Sequence, residues 1–92
     1  MSGWAIRFTE KSLKQINKLD LPIRRRIFNY LDKVVSSASP LASSEPLTGL
    51  PGKRKFRIGD YRILFTAQHQ QLTILVLKVG HRSHVYKNTT DL

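Results

Sequence analysis

Gly59-Asp60 sits between two runs that mix basic and apolar residues, and this pair decides how the strands around it can align. The runs are Lys-Arg-Lys-Phe-Arg-Ile before it and Tyr-Arg-Ile-Leu-Phe after it, so residues 53–65 read as a basic β-hairpin. Glycine first and a polar residue second suits a two-residue type II′ turn, whose twist matches antiparallel strands. That turn sets Ile58 opposite Tyr61, Arg57 opposite Arg62, Phe56 opposite Ile63 and Lys55 opposite Leu64. Side chains alternate along a strand, so Phe56, Ile58, Tyr61, Ile63 and Phe65 share a core face. Arg57 and Arg62 share the other, with Lys55 two residues along. Like charges directly opposite destabilise a sheet. Either an anion is meant to lie between the two arginines, or both point into screening solvent.

Ahead of the hairpin, Trp4, Ile6 and Phe8 alternate as a short strand. Thr9 suits a helix N-cap, with Glu10 in the first turn, and Leu13 and Ile16 form a thin apolar stripe. Pro22 suits the first turn of a second helix, along which Ile23, Ile27, Tyr30, Leu31 and Val34 recur at helical spacing. Arg24, Arg25, Arg26 and Lys33 fall outside that stripe and read either as a solvated face or as a nucleic-acid surface. Residues 36–52, rich in Ser and Pro, form a crossing loop tacked down by Leu41, Leu47 and Leu50. After a turn at His69-Gln70-Gln71, residues 72–79 are apolar on both parities, as in a central strand covered on both faces. Gly80 ends it, followed by the polar cluster His81-Arg82-Ser83-His84-Val85-Tyr86. Residues 87–92 read as a frayed or short terminal turn. The order is β-α-α-β-β-β: an α+β fold in which an N-terminal helical hairpin packs on one face of an antiparallel sheet.

The 92 residues suffice for one domain, taken as 1–92, with a modest core. Sixteen Lys and Arg against six Asp and Glu give a formal charge of +10, which attracts polyanions, nucleic acid first. With no cysteine there is no disulfide and no thiolate metal site. The start of the chain lacks a signal-peptide pattern, and the longest apolar run is too short to span a bilayer. A soluble cytoplasmic protein without a membrane partner is therefore expected.

The sheet face opposite the helices should carry Lys55, Arg57 and Arg62, with Arg82 and Tyr86 delivered from the end of the central strand. There are no paired carboxylates for magnesium and no Gly-rich phosphate loop. His81 and His84 lack a third metal ligand. Metal-free, cofactor-free RNA cleavage does fit, since the 2′-hydroxyl can attack its own adjacent phosphate. Arginines suit the phosphate charge that grows in the transition state but cannot act as bases. Lys55, His81 and Tyr86 remain as proton carriers. Tyr86 as a half-buried surface residue, and His81 as a strand-end residue bonded to backbone, are the plainer readings.

The basic strand, Gly59-Asp60-Tyr61-Arg62 with Ile63-Leu64-Phe65, the apolar strand, and then Val79-Gly80-His81-Arg82 with Val85-Tyr86 together resemble the RelE toxins of toxin–antitoxin modules, within the RelE/ParE superfamily. The likeness extends over nearly the whole chain. It implies a microbial-RNase-like fold and an endoribonuclease that cleaves mRNA in the ribosomal decoding site. It also implies a RelB-like antitoxin partner that lays an acidic helical segment on the basic body. By the same resemblance Lys55, Arg62, Arg82, Tyr86 and His81 are the candidate catalytic residues, and Lys53, Arg54 and Arg57 bind RNA. Arg62 and Arg82 would clamp the scissile phosphate. Tyr86 would orient or deprotonate the attacking hydroxyl, or stack on a base. Two other functions remain open: a ParE-like toxin that binds DNA gyrase without cutting RNA, and an RNA-binding module without catalysis.

Overall fold

The computed structural model describes residues 3–89 and Leu92. The elements are β1 (Ala5–Phe8), α1 (Glu10–Asn17), α2 (Leu21–Ser36), β2 (Glu45–Pro46), β3 (Lys53–Ile58), β4 (Tyr61–Gln68) and β5 (Thr73–His81). They form two helices and one five-stranded sheet of order β1-β5-β4-β3-β2. The expected α+β architecture is present, with two refinements. β1 pairs parallel with β5, so the sheet is mixed rather than wholly antiparallel. No hairpin turn fixes the direction of β1, which reaches its neighbour only through the rest of the chain. Within the crossing loop, Glu45 and Pro46 also add a two-residue edge strand to β3.

The hairpin holds the expected register: Ile58 faces Tyr61, Arg57 faces Arg62, Phe56 faces Ile63 and Lys55 faces Leu64. Gly59 has φ +57° while Asp60 stays at negative φ, the combination of a type II′ turn. Phe56, Ile58, Ile63 and Phe65 are buried beneath Ile16 of α1 and Ile27, Leu31 and Val34 of α2. Thr9 caps α1, its side chain accepting from the Ser12 N–H at 3.1 Å. Leu13 nevertheless stays exposed, and Ser12 is the residue buried beside Ile16.

The reason lies in the edge of β5. Past Phe8, β1 no longer covers that edge, and polar side chains of α1 take over. Ser12 Oγ donates to the Val76 carbonyl at 2.9 Å, and Gln15 Oε1 accepts from the Val79 N–H at 2.8 Å. An orphaned buried N–H costs roughly 1–3 kcal/mol. Gln15→Leu is therefore expected to lower stability by about that amount, read as a lower urea midpoint at unchanged slope. An unchanged midpoint would contradict the assignment.

β5 also explains its own apolar run. Leu64 pairs with Lys78 but Phe65 pairs with Val76, so Leu77 is an extra residue and Val76 and Val79 both face the helices. On the opposite face Leu64, Leu47 and Val85 form a smaller cluster with Leu50 and Leu92. Gly80 lies directly beneath it: a Cβ there would meet Val85 Cγ2 at 3.4 Å. The chain beyond β5 folds back over the sheet at that point. The expectation for residues 87–92 is only partly covered, since Thr90 and Asp91 lie outside the described residues.

Candidate active site

The face of the sheet away from the helices carries a shallow cleft lined by Lys55, Arg57, Arg62, His81, Arg82, Ser83 and Tyr86. Three elements meet there for local reasons. Alternation along β3 and β4 turns Lys55, Arg57 and Arg62 outward. The Arg82 N–H donates to the Asp60 carbonyl at 2.7 Å, tying the segment after β5 to the hairpin turn. The N–H groups of His84 and Val85 donate to the His81 carbonyl, winding that segment into a tight turn that buries Val85. Tyr86 is thereby carried back over β3, where Lys55 Nζ donates to its hydroxyl at 3.2 Å and lies 5.1 Å from its ring centre.

The facing arginines are not held apart by solvent alone. Arg62 is only 6% exposed, and its Nη1 donates to the Gly59 and Tyr61 carbonyls at 2.8 and 2.9 Å. Arg57 pairs with Glu45 at 3.3 Å, and Arg82 with Asp60 at 3.4 Å, both on exposed side chains. Each guanidinium thus has a partner of its own. Such exposed pairs are weak, worth about 0.2–1 kcal/mol, and an incoming phosphate can displace them.

His81 Nδ1 accepts from the Ser83 N–H at 3.1 Å, which puts the proton of the neutral ring on Nε2. Tyr61 packs edge-on against this ring at 5.5 Å. His84 stacks beside it at 6.1 Å but lies outside the cleft. Among the described residues no group of three or more His, Cys, Asp or Glu could hold a metal ion.

Six of the residues singled out from the sequence, Lys55, Arg57, Arg62, His81, Arg82 and Tyr86, line this cleft. The other two do not. Lys53 sits farther along β3, and Arg54 falls on the alternate parity, donating to Ser44 Oγ at 2.7 Å and to the Ser44 carbonyl at 3.2 Å. Arg54 pins the crossing loop. Sequence reasoning missed Glu45, which reads only as a loop residue until β2 brings it beside Arg57. It also missed Lys78, 9% exposed, whose Nζ donates to the Lys87 carbonyl and braces the terminal turn. A lone lysine inside an apolar strand was the available signal, because a buried ammonium must find a partner.

The chain is similar to known proteins over most of its length. Residues 6–86 match the family described as the ParE toxin of the type II toxin–antitoxin system parDE. The chain is 28% identical over 85 residues to toxin RelG of Mycobacterium tuberculosis, covering 91% of this chain and 97% of that one. It is 31% identical over 83 residues to the mRNA interferase toxin RelE of Escherichia coli K12, covering 86% and 85%. Among solved structures, the toxin–antitoxin complex RelBE2 of M. tuberculosis superposes with a TM-score of 0.78 at 28% identity, over 91% of this chain and 97% of that one.

Proposed function

The chain belongs to the ParE toxin family of type II toxin–antitoxin systems, within the RelE/ParE superfamily, and from that premise we propose that it is a metal-independent endoribonuclease that cleaves mRNA on the ribosome. The observation that carries this reading is the Lys55–Tyr86 contact at 3.2 Å inside a cleft with three arginines. A site that only bound a partner would need the charge but not a lysine and a phenol held at hydrogen-bond distance. The relative named an mRNA interferase, at 31% identity, supports the same chemistry.

In this mechanism Arg57, Arg62 and Arg82 bind the scissile phosphate and stabilise its growing charge. Lys55, as the neutral amine held by the Tyr86 hydroxyl, takes the proton from the attacking 2′-hydroxyl. As the O2′–P bond forms, the P–O5′ bond breaks, leaving a 2′,3′-cyclic phosphate and a 5′-hydroxyl. His81, as the imidazolium with Nδ1 against Ser83 Oγ, gives its Nε2 proton to the leaving O5′ and returns to the neutral ring. The partner that silences the toxin is a RelB-type antitoxin. The RelBE2 structure supports this choice, as does the surplus of cations, which suits an acidic segment.

The test is mRNA cleavage in a reconstituted translation system, run beside a DNA gyrase supercoiling assay. Cuts within codons are expected, with gyrase unaffected. Intact mRNA with blocked supercoiling would replace this reading by the ParE-like one, which the name of the matching family favours.

Glu45 supplies a further check. Glu45→Gln releases Arg57, and because an exposed pair is worth at most about 1 kcal/mol, affinity for a non-cleavable 2′-deoxy oligonucleotide should rise only a few-fold. Cleavage should persist. A drop in rate on the scale of a lost proton carrier would instead make Glu45 part of the proton path.

A further inference from the structure

We propose that the groove between α2 and the hairpin is a second phosphate-binding track, along which the RNA strand continues after it leaves the cleft. This rests on the reading of the cleft as an RNA site. The groove is lined by Arg26, Asn29 and Lys33 from α2 and by Arg57 and Gly59 from the hairpin. Arg57 lines both the groove and the cleft, so the two are continuous around the edge of β3.

Its cations are placed by the helix repeat: positions 26, 29 and 33 fall on one stripe of α2, beside rather than within the buried stripe of Ile27, Leu31 and Val34. Arg26 and Lys33 are seven residues apart, about 10 Å along the axis, so each can meet its own phosphate. Neither has an ion-pair partner among the described residues. Arg26 lies flat against the turn: a Cβ on Gly59 would come within 2.8 Å of its Nη1. Arg62 donates to the Gly59 carbonyl at 2.8 Å, so two guanidinium groups flank one glycine. Glycine thus serves twice here, supplying the positive φ and admitting the Arg26 guanidinium.

The wall of the groove is firm. The Tyr30 hydroxyl donates to Ser43 Oγ at 3.0 Å and its ring packs edge-on against Phe56. The one aliphatic side chain in the lining, Ile58, is buried. An amphipathic peptide helix would need an exposed apolar anchor here, whereas a phosphodiester backbone needs only the cations.

The experiment measures binding of a 2′-deoxy trinucleotide and a 2′-deoxy dodecamer to the full chain across a salt series. Each phosphate contact contributes about 0.7 to the salt slope of a single strand. Arg26→Ala with Lys33→Ala is therefore expected to reduce the dodecamer slope by about 1.4 and its affinity roughly 10–30-fold near 0.1 M salt. Trinucleotide binding should hold. Arg26→Lys with Lys33→Arg should restore the dodecamer, and Lys14→Ala with Lys18→Ala, the same charge change on α1, should cost little.

A groove variant that behaves like the α1 control overturns the proposal. So does one that keeps the dodecamer but loses binding of an acidic poly-glutamate peptide, which would make the groove a protein-docking surface. The readout needs no cleavage. A protein that binds the dodecamer through these residues but leaves mRNA intact would refute the nuclease reading and leave the track standing.

Discussion

Tyr86→Phe is expected to slow mRNA cleavage by about 10²–10⁴-fold, the usual contribution of a positioned proton-transfer group, while RNA affinity changes little. The substitution removes one oxygen, the atom that accepts from Lys55 Nζ at 3.2 Å, and leaves the ring on which the lysine also rests. Arg82→Ala should cost about 10²–10³-fold through lost transition-state charge stabilisation. It should also weaken RNA binding, because Arg82 contributes whole charge to the cleft. Single-turnover cleavage beside equilibrium binding separates the two effects. If Tyr86→Phe leaves the rate within a few-fold of wild type, the tyrosine is a stacking or surface residue and the proton path lies elsewhere.

The largest loss of stability is expected at Phe56. It is fully buried, stacks on Phe65 with ring centres 4.4 Å apart and meets Tyr30 edge-on at 5.5 Å. Phe56→Ala should destabilise by about 3–5 kcal/mol, since the rigid β3–β4 floor cannot close the gap. Against a whole-domain stability of about 5–15 kcal/mol, that leaves a marginal fold. Leu13→Ala, at a position that periodicity alone assigns to the core, should change stability by about 0.5 kcal/mol or less, because Leu13 is exposed. Equal losses at both positions in urea titrations would contradict the packing described.

These two positions show what the sequence discloses. Phe56 was legible because a hairpin with a glycine-first turn leaves one register, and register fixes faces. The buried stripe of α2 was legible for the same kind of reason, a long helix with one apolar side. The resemblance to the RelE/ParE superfamily, carried by the order of the basic strand, the turn and the polar cluster after β5, agrees with the family match over residues 6–86.

Leu13 was not legible, because α1 is short and its inward side is set by the edge of β5, which needs the hydroxyl of Ser12 and the amide of Gln15. The parallel pairing of β1 and the placement of Glu45 depend on contacts between distant segments, which no local pattern encodes. Arg62 shows the subtler case. Its parity was readable, but its burial against the carbonyls of Gly59 and Tyr61 follows from the turn folding onto its guanidinium. The two facing arginines therefore create neither a simple repulsion nor an empty anion site. One is locked into the hairpin and the other is paired with the exposed carboxylate of Glu45.

If the RNA supplies its own nucleophile, removing one 2′-hydroxyl should abolish one cut. The most direct measurement places a single 2′-deoxynucleotide immediately 5′ of a mapped cut in the mRNA and repeats the cleavage reaction. With an RNA-borne nucleophile this one cut disappears while its neighbours persist, and the unmodified cut ends in a 2′,3′-cyclic phosphate. A cut that survives the deoxy substitution, or that leaves a 3′-hydroxyl and a 5′-phosphate, would rule that nucleophile out.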